Sequence, residues 1–386
     1  MLKVLCVFGT RPEAIKMAPV VKALKAQNKK IKTVVCVTAQ HREMLDQVLD
    51  IFSIRPDYDL DLMEKAQTLF HITSSCLLGL EKIFEKEKPS LVLVHGDTTT
   101  SFAAALAAFY RRIPVGHVEA GLRSFDLENP YPEEANRVLT DRLCALHFAP
   151  TALSKKHLLD EHASRKGIFV TGNTVIDALF LGLKKKHLFE NPQLRKLFGP
   201  KRAEATGRII LVTAHRRENF GQPLENICRA LRETAGNFEN VQIVYPVHLN
   251  PNVQSVAKRI LGGHSRIHLI PPLHYLDMVN LMKLSYLVVT DSGGLQEEAP
   301  ALGKPVLVLR KVTERPEGVD AGTVQITGTD RKHLLGSIRE LLENRKSYNK
   351  MAQAKNPYGD GRAGERITQA ILHYFNLSRS KPKDYR

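Results

Sequence analysis

Four acidic side chains fall where strand-like runs end or where a helix begins. Asp97 follows the apolar run 91–94, Glu119 follows 115–118, and Glu133 and Glu134 open the helical stretch after Pro130-Tyr131-Pro132. Carboxyls held close together push each other's pKa values apart, so one can take a proton while another holds one. Acid/base work is therefore the chemistry expected of Asp97, Glu119, Glu133 and Glu134, with one of the last two serving only the start of its helix. The neighbours Arg123, Arg137 and histidine are not the oxygen-rich set that a hard cation takes, and no metal is expected.

A second set of residues suits an anion. Thr10-Arg11-Pro12-Glu13 has the spacing of a capping box directly after the run 3–8. A cation at a helix N-terminus opposes the helix dipole, so Arg11 points to a bound phosphate, with Lys16 one turn on as a further contact. Asp291-Ser292-Gly293-Gly294 places small residues where backbone N–H groups can approach a phosphate at the start of a helix. Glu298, one turn into that helix, is placed to accept bonds from vicinal ribose hydroxyls. His215, followed by Arg216 and Arg217 after another strand, suits a pyrophosphate, and His248 is placed to line the same cleft. His95 and His117 lie inside strands and read as core residues or as support behind the site. Neither GxxxxGK[ST] nor a GxGxxG after the first strand is present, so no tightly bound dinucleotide and no cofactor is expected.

These residues need a scaffold that brings strand ends together. Short apolar runs at 3–8, 33–38, 91–94 and 115–118, then at 209–213, 242–247, 267–270, 286–290 and 306–309, alternate with helix-length patterns. Continuous rather than alternating apolar strands are those of parallel sheets covered on both faces. The two halves repeat one plan. The run 4–8 with its polar turn matches 210–213 with His215, and the run 91–94 ending in Asp97 matches 287–290 ending in Asp291. The expectation is an α/β chain of two Rossmann-like parallel-sheet domains with a cleft between them, residues 1–171 and 172–364, divided where a strand ends in Gly172. A last helix at about 365–376 should pack back on the first domain, and residues from Ser378 on should fray.

The chain of 386 residues carries 56 Lys plus Arg against 40 Asp plus Glu, a net charge of +16 that suits an anionic ligand. With no Trp and only 6% aromatics it lacks the stacking platforms of a nucleic-acid binder, and nucleic acid is not an expected partner. No apolar run approaches the ~18 residues of a membrane helix, so no membrane partner is expected either. The five cysteines are scattered, with no CxxC, which suits reduced thiols. The first strand starts at Lys3, leaving no room for a signal peptide, so a cytoplasmic location is expected.

Across nearly the whole chain the motifs resemble the non-hydrolysing UDP-N-acetylglucosamine 2-epimerase family. The resemblance rests on GTRPEAIKMAP (9–19), QHREMLDQVL (40–49), HGDTTT (95–100), HVEAGLRS (117–124), PEEANR (132–137), HRREN (215–219), TDSGGLQEEAPALGKPVLVLR (290–310) and ERPE (314–317). It implies a GT-B-like fold, a homodimer, and an isomerase that needs neither NAD nor an essential metal. It implies that UDP-GlcNAc and UDP-ManNAc are interconverted at C2 through UDP and a 2-acetamidoglucal, to supply cell-surface polysaccharide. Asp97, Glu119 and Glu133 then match the acid/base carboxylates, Arg11 and His215 the diphosphate contacts, and Ser292, Gly293, Gly294, Glu298 and Arg315 the nucleotide-binding set. Met278 stands where many relatives carry Phe, and its polarizable thioether is suited to pack on uracil. Gln40, His41, Gln67, Arg216 and His248 match residues with which some members bind a second UDP-GlcNAc as activator, although Ala66 replaces an Arg of that set. A hydrolysing relative that releases ManNAc and UDP, a GT-B glycosyltransferase and a non-enzymatic sugar-nucleotide sensor remain as alternatives.

Overall fold

All strand pairings among the described residues are parallel, in two sheets of order β3-β2-β1-β4-β5-β6-β7 and β10-β9-β8-β11-β12-β13. The computed structural model describes residues 1–38, 42–62, 68–198 and 207–386. The chain divides into two units, Met1–Leu181 with Tyr358–Arg386, and Gly182–Pro357.

The first unit runs β1 (Leu2–Phe8), α1 (Arg11–Lys25), β2 (Ile31–Val37), α2 (Arg42–Phe52), β3 (Tyr58–Asp59), α3 (Leu69–Glu87), β4 (Leu91–His95), α4 (Thr99–Tyr110), β5 (Val115–Val118), α5 (Glu133–Leu143), β6 (Leu146–Ala149), α6 (Ala152–Asp160), β7 (Ile168–Val170) and α7 (Thr174–Leu183). The second runs α8 (Pro192–Phe198), β8 (Arg208–Thr213), α9 (Gln222–Asn237), β9 (Val241–Pro246), α10 (Pro251–Leu261), β10 (Ile267–Ile270), α11 (Tyr275–Leu284), β11 (Leu287–Thr290), α12 (Gly293–Ala301), β12 (Val306–Val308), α13 (Pro316–Asp320), β13 (Val324–Ile326), α14 (Arg331–Glu343) and α15 (Arg345–Ala352). The last helix, α16 (Ala363–Tyr374), returns to the first unit.

Each sheet reverses direction at one place, between β1 and β4 in the first unit and between β8 and β11 in the second. In doubly wound sheets ligands bind outside the carboxyl ends of the strands at such a switch point. The apolar strands that mark it, such as residues 91–94 and 287–289, are fully buried under helices on both faces.

The nine strands expected from the sequence are present within two residues of their expected limits. The short strands β3, β6 and β13 were not foreseen. The unit boundary lies after Leu181 rather than at Gly172. The reason is α7, which buries Val175, Ile176 and Leu179 in the first unit and offers Asp177 as acceptor to the Ala363 and Gly364 N–H groups (3.1 and 2.8 Å) at the start of α16. That helix lies against α1 so closely that a Cβ on Gly364 would come 3.0 Å from the Pro19 carbonyl oxygen.

The tail beyond Ser378 is not frayed. Asp384 pairs with Lys155 at 2.6 Å and accepts the Val170 N–H at 3.1 Å, while the Tyr385 N–H donates to Val170 O at 2.8 Å. The tail thereby covers β7, which forms one edge of the first sheet.

Candidate functional site

In the first unit the capping box forms as expected. Glu13 is buried, and one of its oxygens accepts the N–H groups of Gly9 and Thr10 at 3.0 and 2.7 Å. Its other oxygen accepts the hydroxyls of Thr98 and Ser101 at 2.7 and 3.0 Å. One carboxylate therefore ties the turn after β1 to the turn after β4, the two strands of the switch point. Burial raises the Glu13 carboxyl above its ordinary value despite these bonds. Arg11 stands half-buried at the mouth of the same turn.

The carboxylates are each held differently. Glu119, just past β5, lies 2.5 Å from Lys16 Nζ and accepts the Asn173 side-chain N–H at 2.7 Å. His95 Nε2 is 3.9 Å away. Glu119 has φ +68°, a left-handed conformation that a non-glycine residue keeps only where its surroundings impose it. Asp97, past the neighbouring strand β4, pairs with Arg137, and its carbonyl accepts the Asn136 side-chain N–H at 3.0 Å. Glu133 and Glu134 separate cleanly. Glu134 is buried, accepts the Ser124 and Phe125 N–H groups at 3.0 Å each, and lies 3.1 Å from Arg137. Glu133, half-buried in the first turn of α5, makes no hydrogen bond or ion pair with the described residues. Glu134 is thus the structural member of the pair.

The second unit repeats this construction around Asp291. Fully buried past β11, its Oδ2 accepts the N–H groups of His215 and Arg216 at 2.8 Å each and the Asn219 side-chain N–H at 3.0 Å. Its Oδ1 is 3.5 Å from His215 Nδ1. His215 stacks on the exposed His248 with ring centroids 5.5 Å apart. Burial holds its imidazole below the ordinary value, with Asp291 pulling the other way.

The segment 292–294 leads into α12 with no side-chain cap. A Cβ on Gly293 would meet nothing within 4 Å, and one on Gly294 would meet only Glu298 Oε2, at 3.5 Å. This helix start is therefore open to an approaching group, with Glu298 beside it. Arg315 pairs with the buried Glu297, and its N–H donates to Thr313 Oγ1 at 3.1 Å. Met278, on α11, is half-buried against a core of the second unit that includes Val288 of β11 and Leu295 and Ala299 of α12.

The family model for UDP-N-acetylglucosamine 2-epimerase matches residues 22–372. The chain belongs to the UDP-N-acetylglucosamine 2-epimerase family. It is 55% identical over 375 residues to the UDP-N-acetylglucosamine 2-epimerase of Yersinia pestis, covering 97% of this chain and 99% of that one. Among solved structures, S. aureus MnaA in its co-structure with UDP is 48% identical, with a TM-score of 0.88 and full coverage of both chains. The UDP-GlcNAc 2-epimerase of Neisseria meningitidis bound to UDP-GlcNAc is 50% identical, with a TM-score of 0.85 over 96% of this chain and 100% of that one.

The UDP-N-acetylglucosamine 2-epimerase family makes this chain an isomerase, with the two Rossmann-like domains of the GT-B plan. Of the residues that the sequence singles out for this epimerase, Arg11, Lys16, Asp97, Glu119 and Glu133 gather on the carboxyl edge of the first sheet. His215, His248 and residues 292–294 do so on that of the second. Arg216 adjoins Asp291 through its backbone. Gln40, His41 and Gln67, with Ala66, lie outside the described residues. Sequence reasoning overlooked Asn173, Asn136 and Asp141 and gave Asp291 no role of its own. Only Asp291 carried a local signal, its place at a strand end before Ser-Gly-Gly.

Proposed function

We propose that this epimerase interconverts UDP-GlcNAc and UDP-ManNAc by reversible elimination, without net hydrolysis. The hydrogen on C2 is not α to a carbonyl, so its direct removal is very difficult. Breaking the C1–O bond first sends that electron pair to UDP and leaves positive charge at C1, which acidifies the C2 hydrogen. A carboxylate takes the proton, and the C2–H electron pair closes the double bond of a 2-acetamidoglucal. Return of a proton to the opposite face of C2 and re-addition of UDP to C1 give the epimer.

The observation that carries this reading is the placement of Asp97 and Glu119 past the adjoining strands β4 and β5, with Glu133, which has no polar partner among the described residues, in the first turn of α5, the helix whose Asn136 and Arg137 contact Asp97. Arg11, His215, Arg315 and the open start of α12 are the groups assigned to the diphosphate, where charge-assisted contacts favour recombination over release. Glu298 is assigned to the ribose and Met278 to the uracil. The bound UDP of S. aureus MnaA and the bound UDP-GlcNAc of the Neisseria enzyme support these ligands. Arg216 and His248, beside His215, are assigned to a second, activating UDP-GlcNAc. We further assign this activity to the cytoplasm, where five free cysteines stay reduced, and to the supply of ManNAc units for cell-surface polysaccharide. A homodimer is supported by Phe70, Leu78, Phe109 and Tyr110, exposed on the neighbouring helices α3 and α4.

The test is an NMR time course of pure enzyme with UDP-GlcNAc. A stable mixture of UDP-GlcNAc and UDP-ManNAc with little free UDP is expected. Stoichiometric ManNAc and UDP would place the chain with hydrolysing enzymes.

A further inference from the structure

Behind the carboxyl edge of the first sheet lies a buried ionic network that the proposed reaction does not use. Asp141, near the end of α5, is 4% exposed. Its Oδ1 stands 2.6 Å from His117 Nδ1, and its Oδ2 accepts the Gly121 N–H at 3.2 Å and an Arg123 N–H at 2.7 Å. Arg123 also donates twice to Glu161, at 2.6 and 2.7 Å. The second ring nitrogen of the fully buried His117 is 2.7 Å from the carbonyl oxygen of Gly96. A carbonyl only accepts, so His117 Nε2 carries a proton. Both ring nitrogens of His117 are thus engaged, Nδ1 by the Asp141 carboxylate and Nε2 by the Gly96 carbonyl. Burial pushes the Asp141 carboxyl up, but the charges of His117 and Arg123 outweigh it and hold the group well below the usual carboxylate range.

The network ends on the two turns that carry the carboxylates. Gly96 has φ +67° and precedes Asp97, and Glu119, two residues past His117, has φ +68°. Gly121, at φ +83°, closes the second turn, and a Cβ there would lie 2.3 Å from the Ser154 carbonyl oxygen. Asp141 thus fixes the first turn through His117 and Gly96, and the second on both sides of Glu119, at His117 and at Gly121. Left-handed backbone at a glutamate persists only when its surroundings over-determine it.

We propose that Asp141 and His117 are positioning residues for the epimerisation, setting the places of Asp97 and Glu119 relative to each other. The proposal rests on those two carboxylates being the working groups. Its test compares His117→Asn, His117→Gln, Asp97→Asn and Glu119→Gln in the full-length enzyme by kcat, KM, UDP affinity and folded fraction. The asparagine keeps a donor for Asp141 but is too short for Gly96, whereas the glutamine amide can reach the Gly96 carbonyl. A misplacement of about 1 Å is costly, so His117→Asn should lower kcat roughly 10–100-fold while KM and UDP affinity stay within about threefold. His117→Gln should recover most of that loss. Wild-type kcat in folded His117→Asn, a loss that merely follows the folded fraction, or a glutamine variant no better than the asparagine would each overturn the positioning role. Unchanged kcat in both Asp97→Asn and Glu119→Gln would instead remove the reading beneath it.

Discussion

Glu133 and Glu134 are adjacent in the chain and opposite in setting, and that contrast can be measured. Glu134 satisfies two backbone N–H groups and faces Arg137, so Glu134→Ala should cost roughly 1–3 kcal/mol in denaturant unfolding by leaving part-buried donors and the Arg137 charge without their acceptor. Glu133→Gln should leave the unfolding midpoint unchanged and lower kcat about 10²–10⁴-fold, the usual worth of a proton-transfer group. The reverse pattern would exchange their roles. His95 gives a pH dependence. Neither ring nitrogen has a hydrogen-bond partner among the described residues, and burial pushes its imidazole down to about 3, with Glu119 opposing. The unfolded chain takes up this proton near pH 6.5 and the folded chain does not, so stability falls as the pH drops from 6.5 towards 3, by up to ~1.4 kcal/mol per unit for this one group. His95→Asn should show a shallower loss of unfolding free energy between pH 6.5 and 5, and identical slopes would refute the assignment. At this scale the residue types and their strand-end positions were legible. The partners were not, because Lys16 meets Glu119 across 103 positions and Asn219 meets Asp291 across 72. No local pattern records such pairings.

The elements were easiest to read where burial is two-sided. The strands β1, β4, β8 and β11 are continuous apolar runs, and the turns after them carry the polar residues that the switch points use. Two of the strands that escaped notice are very short. Tyr58–Asp59 has two residues and Val324–Ile326 three, too few for any periodicity to emerge. The body of α7, up to Leu181, belongs to the first unit rather than to the second, although its apolar residues fit either. Asp177, which caps α16 from 186 positions away, settles where it packs. The polar tail looked free for a similar reason, since Asp384 and Tyr385 find β7 only in the folded chain. An uncovered edge strand invites pairing with other chains. Truncation after Leu377 should therefore lower the first unit's thermal midpoint and raise aggregation on heating, followed by light scattering. A truncated chain that melts and scatters like the full one would show that the tail contributes nothing.

The whole molecule uses one plan twice. In each unit a buried acid ties the turn after the central strand to the turn after its neighbour, Glu13 in the first and Asp291 in the second. The first unit adds carboxylates to that edge and the second adds an open helix start, the division of labour that the proposed elimination and recombination would use. The repeat was visible in the sequence because each central strand is followed by a polar turn and each neighbouring strand by Asp and small residues. The relation of Asp141 to both first-unit turns was not, because it depends on how α5 folds back beneath them. The central claim is that the C2 proton leaves for a protein carboxylate and is replaced from solvent. Its most direct measurement is turnover of UDP-GlcNAc in deuterium oxide, with C2 of the recovered sugar nucleotides read by proton NMR. The account predicts deuterium at C2 in UDP-ManNAc from the first turnover and its gradual appearance in the UDP-GlcNAc pool. UDP-ManNAc that keeps the original hydrogen at C2 would contradict it.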